Sequence, residues 1–230
     1  MEEDALNSVW TDTKQPKTIA LIVAHPDDET LWAGGTILSH PLWNCFVVCL
    51  CRKNDKERAP RFYKALEALH SEGIMGDLDD GADQKPLKNN EVAQAILGLL
   101  PPVDYDLILT HHLTGEYTRH LRHEEVSKAT IQLWRSGKIS ANELWTFAYK
   151  DNHKEHYPIA TENASVCYRL TKDDWQKKYN IITKIYGFEK NSWEAKTTPN
   201  AEAFWHFSKS SDVADWMTQI EDVKDGKLIW

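Results

Sequence analysis

Short apolar runs alternate with stretches of helical periodicity through the first two thirds of the chain, and this alternation restricts the fold more than any other feature. The runs at 19–23, 44–51, 74–78, 106–110 and 143–149 read as strands, and their nearly continuous apolar character is that of strands covered on both faces. Between them, 29–39, 58–71, 89–100 and 122–136 read as helices. In 58–71, Phe62, Ala65, Leu66 and Leu69 share one face, and Pro101-Pro102 closes the 89–100 segment. Strand and helix in alternation call for a Rossmann-like α/β fold, a mostly parallel sheet with helices on both faces. With 230 residues and 41% hydrophobic content, the chain can bury this core as a single domain over 1–230.

The first apolar run ends in Ala24-His25-Pro26-Asp27-Asp28-Glu29. Proline disfavours helix for the residue before it and suits a first helical turn itself, so His25 is held extended where a helix begins. Asp27, Asp28 and Glu29 then crowd a helix N-terminus, whose free N–H groups and positive dipole end favour carboxylates. One acid suffices for capping. Two adjacent acids sharing a tight turn with an imidazole match the nitrogen and oxygen ligands of zinc, with one carboxylate to spare. In an open α/β sheet this strand edge is where ligands bind.

This hexapeptide, with Gly34-Gly35-Thr36 after it, resembles the signature of the PIG-L/LmbE-like family of zinc-dependent N-acetylglucosaminyl deacetylases. The similarity covers about 18–150 and thins beyond it. The resemblance implies that His25 and Asp28 bind Zn2+ and that Asp27 is the general base. A catalytic zinc needs a third protein ligand. His120 and His123 stand three apart and share a face of a helix or its first turn. They resemble the family's His-x-x-His element, which implies His123 as the third ligand and His120 as the companion acid facing substrate. Leu121-Arg122 stands where the commoner form of that element has Pro-Asp, so an acid able to orient an imidazole is replaced by an arginine. Arg122 beside a cation site then needs a paired or exposed position. Arg58 resembles the family arginine that contacts substrate hydroxyls or phosphate, and Asp79-Asp80-Gly81 resembles a family turn near the pocket. Tyr117 is a candidate substrate-binding residue, a hydroxyl donor to the oxyanion, although the family tyrosine lies one residue closer to the first histidine.

Other histidines and acids compete for these places. His153 and His156 repeat the spacing, but in a polar stretch ended by Pro158 that reads as a solvated loop. His111 and His112 follow a strand end and suit the pocket wall better than ligation. Glu29, Glu116, Glu124 and Glu125 rank below the histidines, because acids at helix starts usually cap. The run 52–58 reads as a solvated face on the same rim as His25. Gly34-Gly35 weakens a helix and so implies close packing or substrate approach.

A net charge of −8 excludes nucleic acid and anionic membrane surfaces as partners, since both need a positive patch. The partner expected is a small-molecule substrate; a homo-oligomer is compatible with the composition. Residues 1–4 carry neither the basic nor the apolar region of a signal peptide, and no long apolar span is present, which implies a cytoplasmic protein. Cys45, Cys49 and Cys51 alternate along one strand as core residues, spread in a line rather than around an ion. No glycine-rich fingerprint follows the first strand, so a dinucleotide-binding protein is excluded. In 151–230 the aromatic residues serve mainly as core, with sugar stacking as their alternative use. Thr171 caps a helix that runs towards Gly187. The function implied is removal of an N-acetyl group from an amino sugar or sugar conjugate. The alternatives are a metal-dependent amidase acting on a thiol-sugar conjugate or an acylated secondary metabolite, and a zinc-retaining binding protein without turnover.

Overall fold

The computed structural model describes residues 15–224 apart from His153. Residues 1–4 and His153, on which two expectations above rest, therefore lie outside the described residues. The five expected strands are present as β1 (Lys17–Val23), β2 (Trp43–Cys51), β3 (Glu72–Leu78), β4 (Tyr105–Thr110) and β5 (Ala141–Phe147). Four helices intervene: α1 (Asp28–Ser39), α2 (Arg58–Ala68), α3 (Asn89–Leu99) and α4 (Leu121–Arg135). Helix α2 stops short of the expected 71 because His70 turns left-handed at φ 53° while Ser71 N bonds back to Leu66 O at 2.9 Å.

A hairpin of β6 (Tyr149–Lys150) and β7 (Ile159–Ala160) follows, then β8 (Val166–Arg169), α5 (Lys172–Asn180), a π-helical turn at Ile181–Ile185, α6 (Trp193–Thr197), β9 (Ala201–Phe207) and α7 (Ser210–Lys224). Thr171 caps α5 as expected, accepting from Asp174 N at 3.1 Å. The single helix expected to run on towards Gly187 instead loosens into the π-turn after Asn180.

The seven-stranded sheet has the order β3-β2-β1-β4-β5-β9-β8. Strands β1 to β5 are parallel, whereas β9 runs antiparallel to β5 and β8 antiparallel to β9. The strands bury both faces, as the apolar runs required. Ile19, Leu21 and Val23 of β1 enter the core layer that holds Trp32, Phe62 and Tyr186. Ala20, Ile22 and Ala24 enter the opposite layer with Val48, Ile96, Ile108 and Leu133. From β1 the chain winds outward through β2 and β3 and then returns to β4 on the other side. The reversal leaves a crevice beyond the C-terminal ends of β1 and β4, the place where such sheets bind ligands.

Candidate active site

His25 leaves the end of β1 and His111 the end of β4, so the topology brings residues from distant parts of the sequence into one crevice. The turn after β1 is strained. Asp27 has φ 111°, a left-handed conformation costly for a side chain with a Cβ. Its carbonyl accepts from Leu31 N at 2.8 Å, and its N–H donates to Glu29 Oε2 at 3.0 Å. Glu29 is fully buried; its Oε1 accepts from Thr30 Oγ1 at 2.5 Å and from the Tyr186 hydroxyl at 2.7 Å. Among the acids weighed as extra ligands, Glu29 is therefore the brace of the turn. Asp27, although it stands at the helix N-cap, makes no side-chain capping bond; Arg58 Nη1 donates to its Oδ2 at 3.0 Å.

Three donor atoms converge beside this turn. His25 Nδ1 lies 3.3 Å from Asp28 Oδ2, His123 Nε2 lies 3.4 Å from the same oxygen, and the two ring nitrogens are 3.0 Å apart. Tetrahedral coordination at about 2.0–2.1 Å sets donor atoms about 3.3 Å from one another, so the three atoms fit a zinc-sized ion. The outward nitrogens fix the tautomers. His25 Nε2 is 3.1 Å from Asp80 Oδ1, and His123 Nδ1 is 2.5 Å from Glu116 Oε2. With an ion held there, each imidazole would give its outward proton to a carboxylate and offer its inner lone pair to the ion.

His111 also approaches Asp28, at 3.5 Å, and with His123 and Asp28 forms a second metal-sized group. Its Nε2 lone pair, however, accepts from Ala24 N at 2.8 Å, and its Nδ1 faces the other Glu116 oxygen. The geometry makes His111 a wall of the site, stacked on His123 at 4.0 Å. His112 turns away to meet Trp216 edge-on at 5.0 Å, so it does not line the pocket. His156 lies in an exposed turn, as expected of a solvated loop.

Glu116 is the residue that the motif comparison left as a lesser ligand candidate and that the structure gives a different place. Gly115, at φ 77°, folds the strand connection back; a Cβ there would collide with the Thr118 carbonyl. The turn inserts Glu116 beneath both imidazoles. Burial alone would raise its carboxyl, but His111 and His123 more than offset this and hold it well below the usual range. The carboxylate absent from the Leu121-Arg122 position thus arrives from another segment. Glu124 and Glu125 pair with Arg119 and Arg122.

His120 stacks on His123 at 4.0 Å and stands edge-on to His25 at 5.0 Å. Its Nδ1 is buried with no hydrogen-bond partner, and His120 forms with His25 and His123 a further group of ligand atoms within 4.8 Å of one another. Burial, then the neighbouring His123 and His25, lowers it to about 4. Burial would also lower His25, but Asp28 and Asp80 outweigh it and push it up to about 10. Asp27 is raised well above the carboxylate range by burial and by the Asp28 charge, against the pull of Arg58. Burial would raise Asp28 too, yet the surrounding histidines hold it well below that range.

The cluster opens into a pocket of about 460 Å³ whose lining includes Arg58, Asp80, Tyr117, His120 and Trp193. Tyr117 is packed between Trp32 and Trp193, with ring centroids at 5.7 and 5.3 Å. Gly35 serves packing rather than the pocket: a Cβ there would overlap Leu170 and crowd Glu202, whereas one on Gly34 would make only ordinary contacts with Thr30 and Lys178.

A mostly parallel Rossmann-like sheet with a His/Asp cluster that could hold a metal at its switch point defines the α/β class to which the chain belongs. The GlcNAc-PI de-N-acetylase (PIG-L) family matches residues 20–134, half of the chain, and the protein belongs to that family. An uncharacterized protein, L374 of Acanthamoeba polyphaga mimivirus, is 25% identical over 178 residues, covering 70% of this chain and 75% of its own. The N,N'-diacetylchitobiose deacetylase of Pyrococcus horikoshii shares the fold at TM-score 0.62 and 16% identity, over 90% of this chain and 91% of that one. GalB, the 4-carboxy-2-hydroxymuconate hydratase of Pseudomonas putida KT2440, shares it at TM-score 0.56 and 18% identity, over 84% and 97%. One fold thus carries different chemistries, and function has to be argued from the site. Among the described residues no helix is long and apolar enough to cross a membrane.

Proposed function

We propose that the protein is a zinc-dependent hydrolase that removes an N-acetyl group from an amino sugar or sugar conjugate. The observation that carries this reading is the mutual approach, at 3.0 to 3.4 Å, of His25 Nδ1, Asp28 Oδ2 and His123 Nε2, with Asp27 beside them but held by Arg58. These three residues would hold the ion, which when bound polarises an amide carbonyl and makes water more acidic.

The protein's own groups then divide the proton work. Asp27, whose carboxyl burial and the Asp28 charge raise above the usual range, stands where it can take the proton of the attacking water. Arg58 fixes the Asp27 carboxylate and lines the pocket, where it meets substrate hydroxyls or phosphate. His120, lowered to about 4, stays neutral and donates a hydrogen bond to the substrate oxygen on which charge develops or to the departing nitrogen. Tyr117 and Trp193 offer ring faces to the apolar side of a sugar. The cysteines are free, Cys45, Cys49 and Cys51 in the core, which fits work in the reducing cytoplasm.

The deciding experiment incubates zinc-loaded protein with N-acetylglucosamine, N,N'-diacetylchitobiose and N-acetylglucosaminyl conjugates and follows the release of free amine, with and without chelator. Release that chelator abolishes and zinc restores is expected. No amine from any of these substrates, or release indifferent to chelator, would overturn the proposal.

A further inference from the structure

Arg122 stands where the commoner family element carries an acid, and its side chain is only 1% exposed. A buried guanidinium is costly to desolvate unless its N–H groups are well partnered, and here they are. Nε donates to Asp79 O at 2.5 Å, Nη2 to Lys85 O at 2.8 Å, and Nη1 to Glu125 Oε2 at 2.5 Å. The second oxygen of Glu125 accepts from Leu87 N at 2.7 Å. One turn of α4 therefore grips the 79–87 loop at three backbone groups.

Asp80 lies within the gripped segment. Its Oδ1 meets His25 Nε2 at 3.1 Å and accepts from Gln84 Nε2 at 3.1 Å; its Oδ2 accepts from Arg52 Nη2 at 2.6 Å. Arg52, 39% exposed, also donates from Nε to the same oxygen at 2.8 Å and reaches Asp55 at 3.6 Å, so it steadies the Asp80 carboxylate but not the backbone that carries it. The fixed anchor is the loop backbone.

We infer that Arg122, with Glu125, is a positioning residue for the metal centre: it pins the 79–87 loop so that the Asp80 carboxylate seats on His25 Nε2 and aims His25 Nδ1 at the ion. The inference rests on the reading of His25 as a metal ligand. The carboxylate partner of a ligating imidazole fixes its tautomer and raises its basicity, and loss of such a partner typically weakens metal affinity or activity about 10- to 100-fold. Arg122 acts at one remove, through the loop.

The test measures zinc affinity by chelator competition and the visible spectrum of the cobalt(II)-loaded protein. Arg122→Met and Asp80→Asn are each expected to weaken zinc affinity about 10- to 100-fold and to change the cobalt spectrum alike. The double variant should bind no more weakly than the weaker single one, because both break one chain of contacts. Arg122→Lys should not restore affinity, since an ammonium cannot reproduce the three-way fork. Should Arg122→Met fail to fold, Glu125→Gln keeps an acceptor for Leu87 N while removing the charge partner of Arg122, and should shift affinity in the same direction. Unchanged affinity and spectrum in a folded variant at either position, or losses that multiply in the double variant, would overturn the inference. His25→Ala separates the two readings: if it retains the wild-type metal content, the ligand assignment fails first and the inference with it.

Discussion

His123 and Glu116, seven positions apart, face each other at 2.5 Å through Nδ1 and Oε2 in a buried turn. The contact makes Glu116 the acid that orients this imidazole, and its other oxygen does the same for His111. Glu116→Gln keeps the shape and removes the anion. The amide also presents a donor to one of two N–H groups, so one imidazole loses its preferred tautomer. Metal affinity should fall about 10- to 100-fold with secondary structure intact. Chelator competition and circular dichroism check it; full affinity in the variant would remove Glu116 from the site.

The adjacent aspartates should fail differently. Asp27→Asn should keep the metal and lose about 10²–10⁴-fold in turnover, because an amide oxygen is a poor base. Asp28→Asn should instead release metal, with activity partly recovered in excess zinc. Metal content and single-turnover rate of both variants decide between these outcomes and reversed roles.

Purified protein should hold about one divalent ion per chain, removed by chelators. His123→Ala should lower that occupancy sharply, whereas His156→Ala, in its exposed turn, should leave it unchanged. Elemental analysis of the three proteins is the measurement, and equal losses would contradict the assignment.

Lys178 and Glu202 form a pair at 2.6 Å with neither side chain exposed, and Glu202 also accepts from Gly35 N and Thr36 N at 2.8 and 2.7 Å. Lys178→Met leaves the carboxylate buried and uncompensated, at a cost of about 3–5 kcal/mol. Adding Glu202→Gln removes the orphaned charge and keeps an acceptor for one of the two helix N–H groups, so the double variant should recover part of the loss. Urea unfolding reads both; a double variant less stable than Lys178→Met would show that the pair is not the source of the cost.

Burial pushes the Cys45 and Cys51 thiols up to about 12 and raises Cys49 well above its ordinary value. At pH 8 their thiolate fraction is then about one in 10⁴ for the first two, too small for ready alkylation. Native protein should be labelled first at half-buried Cys167, and at the other three only after unfolding. Mass spectrometry of labelled peptides checks the order.

The alternation of apolar runs and helical faces located β1 to β5 and α1 to α4, because strands buried on both sides and helices between them leave strong periodic traces. The turn at His25 to Glu29 was legible for a related reason: proline and three acids in one turn have few uses. Strand β9 was not legible. It carries Glu202 in its buried face, and a single sequence assigns a charge to solvent unless its partner is known; the partner, Lys178, sits inside a helix that otherwise reads as polar. Arg122 with Glu125 was opaque on the same grounds. Glu116 had a weak signal, a glycine before an acid just past a strand-end His-His pair, and only the left-handed Gly115 turn explains why that acid folds under the imidazoles.

The hydrogen bonds that Gly35 N and Thr36 N donate to Glu202 join positions 167 and 166 residues apart. Helix α1, which supplies Asp28, is made before that carboxylate, so two of its N–H groups wait for a partner translated 167 and 166 residues later. Domains in general fold as units while synthesis proceeds at about 5–20 residues per second. A chain that stopped after β5 would therefore carry His25, His111, His120 and His123 but an α1 lacking the Glu202 carboxylate beneath Gly35 and Thr36.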